Sequence, residues 1–355
     1  MKKKSKARKI IKLTALSLAG ILLASVLTVG IILYGRAATI LSVKQAGNQL
    51  YTVNFQQNYH LDKALSANIK SERELLQFIC DEFYFGYQVE NNVKKFACSA
   101  FLSDTPDGKK LVGRNFDFDA TETLSVYTHP SGGYAAVASV STDMIAVGQG
   151  NEYETESLWG RAALLAAPYM GVDGMNEKGL TASLLDVDFG EEHMHTDNPD
   201  LTVTMAIRLL LDRAATVSEA VELLRGYDIH TGHGWTQHIF VADANGDAAV
   251  IEWHNEKMRV TESPVCTNFR MSNKTFEGNY KGACDRFDLL AESLEKQPEN
   301  TAKDSMQLLE AVKQEYADLH IFTEWSVVFH LTDFTVDYAV NMDYDTVYHL
   351  NPKDF

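Results

Sequence analysis

The first pattern along the chain is an unbroken apolar run. Leu13 to Gly35 spans 23 positions without a charged residue and is apolar on every side rather than along one stripe. As a helix it is long enough to cross a bilayer. Seven Lys and Arg residues precede it, and the positive-inside tendency leaves the rest of the chain on the far face. The rival reading is a cleaved signal peptide cut near Arg36, Ala37 and Ala38, although the run exceeds a usual signal core. Further on, Ser71 and Glu74 form a capping box ahead of Leu75, Leu76, Ile79 and Phe83, which predicts one amphipathic helix.

After Cys98 the texture changes to short alternating stretches. CSAFLSD, a turn at Thr105 to Gly108, and KKLVGRNFDF predict two strands folded back on each other. Strands are also predicted from Tyr134 to Val140, from Met144 to Gln149 and, after a turn at Met175 to Gly179, from Leu180 to Val187. Helices follow over Thr202 to Ala215 and Ser218 to Tyr227, the second opened by Thr216 with Glu219 three residues on. HIFVADANGDAAVIEW predicts a hairpin with a two-residue turn at Asn245-Gly246. Val265 to Asn268 reads as a short strand, Cys284 to Lys296 and Ala302 to Glu315 as helices, and Trp325 to Leu350 as three strands. Hairpin strands with helices grouped between them imply one α+β domain of largely antiparallel sheets.

Composition places the chain among folded proteins: 45% of the 355 residues are hydrophobic and 23% charged, with only 7 Pro and 22 Gly, which excludes disorder and collagen. The first 36 residues hold eight Lys and Arg and no acid, so the other 319 carry 24 basic against 48 acidic residues. Such a field repels polyanions and argues against a nucleic-acid partner. Cys80, Cys98, Cys266 and Cys284 are too few and too scattered for a disulfide scaffold or a zinc ribbon. A disulfide between Cys266 and Cys284 is left unassigned, because sequence does not place their Cα atoms in range.

Cys98 opens the predicted hairpin, with Arg114 on the returning strand 16 residues later and Asp117 at 19. A guanidinium beside a thiol favours the nucleophilic thiolate, and a nearby carboxylate can orient a protonated amine. The plain alternative is a packed small thiol beside a surface ion pair.

CSAFLSDTPDGKKLVGRNFDFD resembles the first hairpin of the choloylglycine hydrolase family, which includes conjugated bile acid hydrolases and penicillin V acylases. GMNEKGL at Gly174 to Leu180, Thr267-Asn268 and Arg286-Phe287 follow in the same order. The resemblance covers most of the chain from Cys98 onward. It implies an N-terminal-nucleophile amidase with a four-layer αββα sandwich, preceded here by the transmembrane helix. It further implies Cys98 as nucleophile with its own α-amine as base, Arg114 holding the thiolate and Asp117 fixing the amine. Asn176 and Asn268 would flank the oxyanion, with Arg286 a further arginine near the nucleophile. No cofactor is implied, and the partner is a small N-acyl amide: an N-acyl amino acid, a bile salt conjugate, a phenoxyacetyl β-lactam or an acylated signalling molecule.

In the bile acid hydrolases the cysteine follows the initiator Met, whereas 97 residues precede Cys98 here. The resemblance therefore requires cleavage of Ala97-Cys98 and divides the chain into 1–36 (basic tail and anchor or signal), 37–97 (propeptide-like) and 98–355 (amidase domain). Only 18 residues separate Asn268 from Arg286, where the bile acid hydrolases carry a long insertion used in tetramer assembly, so the tetramer is not carried over and the oligomeric state stays open. An acyltransferase of the same superfamily and a catalytically silent surface binding protein are the alternatives. The cluster Asp186, Asp188, Glu191, Glu192, His193, His195 and Asp197 reads as an acidic, solvated loop rather than a metal site, since no HExxH spacing supports catalysis. His230, His233 and His238 read as polar loop groups.

Overall fold

The computed structural model describes residues 2–86, 97–119, 121–145, 155, 157–232, 234–273 and 278–355. The chain opens with helix α1 (Lys2–Leu41), a hairpin of β1 (Lys44–Gly47) and β2 (Leu50–Phe55), and helices α2 (Leu61–Ser66) and α3 (Glu72–Phe83). Then come β3 (Ala97–Asp104), β4 (Lys110–Phe118), β5 (Thr123–Thr128), β6 (Ala136–Ser141), α4 (Leu158–Ala163), β7 (Asp173–Asn176) and β8 (Thr181–Phe189). The middle holds β9 (Asp200–Thr202), α5 (Val203–Arg213), α6 (Val217–Leu224), β10 (Asp228–His230), β11 (Trp235–Ala242), β12 (Ala248–Trp253), β13 (Met258–Glu262) and β14 (Val265–Thr267). The last part adds α7 (Asp285–Lys296), α8 (Ala302–Ala311), β15 (Glu315–Tyr316), β16 (Ile321–His330), β17 (Thr335–Val340) and β18 (Tyr348–Leu350).

Two sheets face each other. One has nine strands in the order β1-β2-β5-β6-β7-β8-β11-β12-β13; the other has seven, β14-β3-β4-β16-β17-β18 with β15 beside β16. Helix α5 lies on β7 and β8 and α6 on β11 and β12, while α7 and α8 cover β3, β14, β4 and β16 from the opposite side. Helices thus cover both outer faces, and the α+β sandwich is the expected one. This explains why β3 and β4 are buried almost throughout instead of alternating: one face meets a sheet and the other meets helices. Within the seven-stranded sheet Phe116 stacks on its cross-strand partner Trp325 at 4.1 Å, and across the inter-sheet layer the Tyr338 hydroxyl lies 2.8 Å from Ser139 Oγ.

The segment before Cys98 is built into this sandwich. Strand β2 pairs parallel to β5 from Leu50↔Thr123 to Phe55↔Thr128, and Leu50 and Val53 are fully buried. The Ser71 hydroxyl caps α3 by accepting from the Glu74 N–H, and Leu75, Ile79 and Phe83 fill its buried face. Tyr59 donates to Asp212 Oδ2 at 2.6 Å, and Thr204 to Glu72 Oε1 at 2.9 Å. By contrast, the described apolar side chains of α1 from Leu13 to Ile31, with Leu33 and Tyr34, point outward, and this helix is long and apolar enough to cross a membrane. Among the described residues the end of α1 meets the body, where Thr39 is buried and its Oγ1 accepts from the Gln56 N–H at 2.9 Å.

Three local expectations change. Met144 lies in a 3-10 turn, Thr142–Ile145, because the Thr142 N–H bonds Glu122 O and turns the chain off the sheet; residues 146–149 lie outside the described ones. The β11–β12 hairpin closes with a three-residue loop, since the Asp243 N–H bonds Asp247 O and Gly246 alone takes positive φ at 97°, the bulged alternative to a two-residue turn. Helix α8 ends at Ala311 because Glu315 is drawn into pairing with Phe322.

If β2 belongs to the same cooperative unit as the strands after Cys98, Leu50→Ala will destabilise the whole protein by about 2–5 kcal/mol. Urea denaturation followed by tryptophan fluorescence, whose four reporters include the buried Trp253 and Trp325, is the measurement; an unchanged midpoint would show that β2 folds apart.

Candidate active site

The β3–β4 register sets Cys98 opposite Phe116, Ala97 opposite Asp117 and Ala100 opposite Arg114. Because successive side chains alternate across a strand, the thiol and Arg114 share the face turned to the nine-stranded sheet. Asp117 lies on the other face, turned to the helices.

On the first face Arg114 donates from Nη2 to Cys98 Sγ at 3.2 Å and to Leu184 O at 3.1 Å. Its Nη1 pairs with Asp173 Oδ2 at 2.9 Å, and both side chains are wholly buried. Trp325 Nε1 donates to the same Asp173 oxygen at 3.2 Å. Burial pushes the Cys98 thiol well up, with Arg114 pulling it down and Asp117 and Asp186 adding to the rise. The Cys98 S–H is turned to Leu184 O at 3.7 Å.

On the second face Asp117 Oδ1 accepts from Thr323 at 2.6 Å and Oδ2 from Arg286 at 3.3 Å. Burial raises its pKa, and Arg286 offsets part of that. Arg286, near the start of α7, also donates to Cys98 O at 2.8 Å and to Asn268 Oδ1 at 2.8 Å. Asn268 Oδ1 in turn accepts from the Cys98 N–H at 2.8 Å, while its Nδ2 donates to Asp186 O at 2.6 Å. The Gln314 side-chain amide lies 2.7 Å from Arg286 Nε, and its surroundings are satisfied when its oxygen rather than its nitrogen is assigned to the side facing the guanidinium.

Five of the six predicted residues thus converge: Cys98, Arg114, Asp117, Asn268 and Arg286. Asn176 does not join them. Its Nδ2 donates to Leu211 O and Ala214 O, and its Oδ1 accepts from the Lys178 and Leu180 N–H groups. An amide has two donors and two acceptor sites, so Asn176 is fully committed to the β7–β8 turn and to the end of α5.

A model of the linear amide C–N hydrolases, choloylglycine hydrolase family, matches residues 98–287. The chain belongs to that family. Amide hydrolysis is therefore the chemistry to read from this site. Among solved structures, a variant of the conjugated bile acid hydrolase from Clostridium perfringens aligns with a TM-score of 0.53 at 16% identity, over 73% of this chain and 93% of that one. Penicillin V acylase from Agrobacterium tumefaciens aligns with a TM-score of 0.51 at 18% identity, over 72% and 86%. At such identities the likeness is one of fold. A search of curated protein sequences finds no match.

Sequence reasoning missed several parts of this family member's site. Asp173 precedes the GMNEKGL motif by one residue, and the signal for it was that a buried arginine needs a buried acid. Thr323 stands just ahead of the TEWSVVFHLTD tail's Glu324 and reaches Asp117 only through strand pairing. Asp186 was read as part of a solvated loop, yet it is buried on β8 and accepts from Gln237 Nε2 at 3.0 Å. His238, also read as a loop group, is buried on β11 because it pairs in register with Leu185. It lies 3.2 Å from Glu252 Oε1 and 3.3 Å from Cys266 Sγ. Burial opposes the ionised Glu252, but His238 and the Ser272 N–H outweigh it and hold the carboxyl at about 2. All four cysteines are free thiols, and His233 lies outside the described residues.

Two outcomes follow from the buried charges. Asp173→Asn leaves the Arg114 guanidinium unpaired between the sheets and will cost about 3–5 kcal/mol of stability, read from denaturation midpoints. Glu324 bulges from β16 between Thr323 and Trp325; burial, with Asp119, Asp143 and Asp117 nearby, pushes it up to about 8. A carboxyl whose folded pKa exceeds its unfolded value binds a proton on folding, so its contribution falls as pH rises from about 4.5 to about 8. Glu324→Gln will therefore flatten stability against pH in that window, by at most about 1.4 kcal/mol per pH unit; parallel profiles for the two proteins would refute the assignment.

Proposed function

We propose that this protein is a cysteine N-terminal-nucleophile amidase that frees its own Cys98 and then hydrolyses a small N-acyl amide through a thioester. The observation that carries the reading is that every functional atom of Cys98 is already held: the thiol by Arg114, the nitrogen by Asn268 Oδ1 and the carbonyl by Arg286.

In the maturation step Cys98 Sγ attacks the Ala97 carbonyl carbon. The C–N bond breaks, and the nitrogen leaves as the Cys98 α-amine with the thiol proton. Water then hydrolyses the thioester to the Ala97 carboxylate and the free thiol. The new amine replaces an amide N–H that already faces Asn268 Oδ1, and Asp117, opposite Ala97, supplies a second acceptor beside it. An α-amine has a pKa of about 8, suited to accepting the thiol proton near neutrality. In turnover the amine takes that proton as sulfur attacks the substrate carbonyl, and passes it to the leaving amine. Water then releases the acid. Arg114 favours the thiolate, and Asn268 is the asparagine assigned to the oxyanion site, where one such donor contributes roughly 3–4 kcal/mol. Asn176 has no part in this scheme.

We place α1 in a membrane with its basic start on the cytoplasmic side and the amidase domain outside. Strand β2 and helix α3 support retention after the cut, because they bury Leu50, Val53, Ile79 and Phe83 in the common core. The two chains should remain one particle held by non-covalent contacts.

Intact mass and N-terminal sequencing of the detergent-purified protein beside Cys98→Ala test the scheme. The wild type should yield a chain of 97 residues and one beginning at Cys98 that co-elute natively and separate in denaturant; the variant should stay uncut and lose essentially all amidase activity. An uncut, inactive wild type would favour a silent binding protein. An active protein that releases product only when a second amine is present would be an acyltransferase.

A further inference from the structure

The loop set aside as a solvated acidic stretch contains a geometry that its sequence did not reveal. His193 and His230 meet at an isolated antiparallel bridge, supported by Thr231 N–H to Glu192 O and Met194 N–H to Ile229 O. Their Nδ1 atoms lie 3.2 Å apart. Each ring has a carboxylate at its other nitrogen: Asp200 Oδ1 is 2.7 Å from His230 Nε2, and Glu191 Oε2 is 3.4 Å from His193 Nε2. A carboxylate beside Nε2 favours the N–H at that atom, which leaves the lone pair on Nδ1. Two such lone pairs turned on each other repel unless something positive stands between them.

A third imidazole is present. His195 lies two residues from His193, and its ring centroid is 6.3 Å from that of His193 and 5.9 Å from that of His230. It is exposed, with no hydrogen bond among the described residues, so it can turn toward an ion. Two imidazole nitrogens bound to one tetrahedral ion at about 2.0–2.1 Å stand about 3.3 Å apart, close to the spacing seen. From these facts we propose that His193, His195 and His230 form a binding site for one zinc-class divalent ion, with Asp200 orienting His230 from behind. Three imidazoles suit zinc, copper, nickel or cobalt rather than calcium or magnesium. The ion clips the 190–195 loop to β10. Beyond β10, Gly232 bonds Gln237, and Gln237 bonds Asp186, whose carbonyl holds Asn268. The ion takes no part in amide chemistry.

A second cluster, His330, Asp337 and His349, already brings its ligand atoms within 4.8 Å of one another, whereas in the histidine triad the His195 ring must turn to reach an ion, but the second cluster's bonding differs. Asp337 Oδ2 lies 2.9 Å from His330 Nε2 and Oδ1 2.5 Å from His349 Nδ1. One carboxylate between two N–H donors is satisfied without an ion.

The test is titration of the metal-stripped full-length protein in detergent with Co(II), followed by its visible absorption, and then competition by Zn(II). One equivalent should bind, and more tightly at pH 8 than at pH 6, because the ligands must shed protons. His193→Ala and His195→Ala, both at exposed positions, should weaken Co(II) by about 100-fold or more, and Asp200→Asn by about 10–100-fold. His349→Ala should bind as the wild type does. No stoichiometric binding to folded protein would overturn the proposal and leave a shared proton between the two Nδ1 atoms. Retention of binding by His193→Ala and His195→Ala, or its loss in His349→Ala alone, would also overturn it.

Discussion

The structure turns on one buried cation. Arg114 sits between the two sheets with no exposed surface, and a guanidinium there is tolerable only when paired and hydrogen-bonded. Asp173 from β7 pairs with it, Trp325 from β16 donates to that same acid, and Leu184 O from β8 accepts from it. Phe116 offers its ring face 4.9 Å from the guanidinium carbon. A shift of any of these strands would strand a charge in the core. The pair therefore contributes less net stability than registry: it locks the sheets in the one relation that brings the remaining guanidinium donor to the Cys98 sulfur.

The opposite face of β3 carries a complementary network. Asp117, Arg286 and Asn268 come from β4, α7 and the end of β14; Arg286 and Asn268 meet the Cys98 backbone, and Asp117 holds Arg286. Cys98 is thus held by its sulfur from the sheet side and by its peptide atoms from the helix side. Burial raises the thiol's pKa, and Arg114 offsets part of that rise.

The family match begins at Cys98, and 97 residues stand before it. The preceding residues are not a loose appendage: β2 extends the larger sheet in parallel with β5, and α3 packs its apolar face onto the same core. Parallel addition at that edge, together with the Tyr59–Asp212 and Glu72–Thr204 bonds, ties the segment before Cys98 to the rest of the core and to α5. The end of α1 meets β2 directly, so the apolar helix and the amidase body are joined through a sheet edge.

The sequence by itself determined the α+β class, the hairpin beginning at Cys98 and most helix boundaries, because these rest on local periodicity and capping. The Thr216–Glu219 and Ser71–Glu74 caps are examples. The ordered motifs also carried the family and five converging residues, since strand register follows from a short turn. What only the tertiary structure decided depended on partners distant along the chain. Asn176 matched a motif by letter, but its amide is consumed by the carbonyls of Leu211 and Ala214, which no local pattern announces. Asp173, Thr323 and Asp186 acquire their roles only when β7, β16 and β8 are laid beside β3 and β4. The meeting of His193 with His230 is likewise decided by tertiary pairing, because residues 37 positions apart become neighbours only when the loop closes on β10.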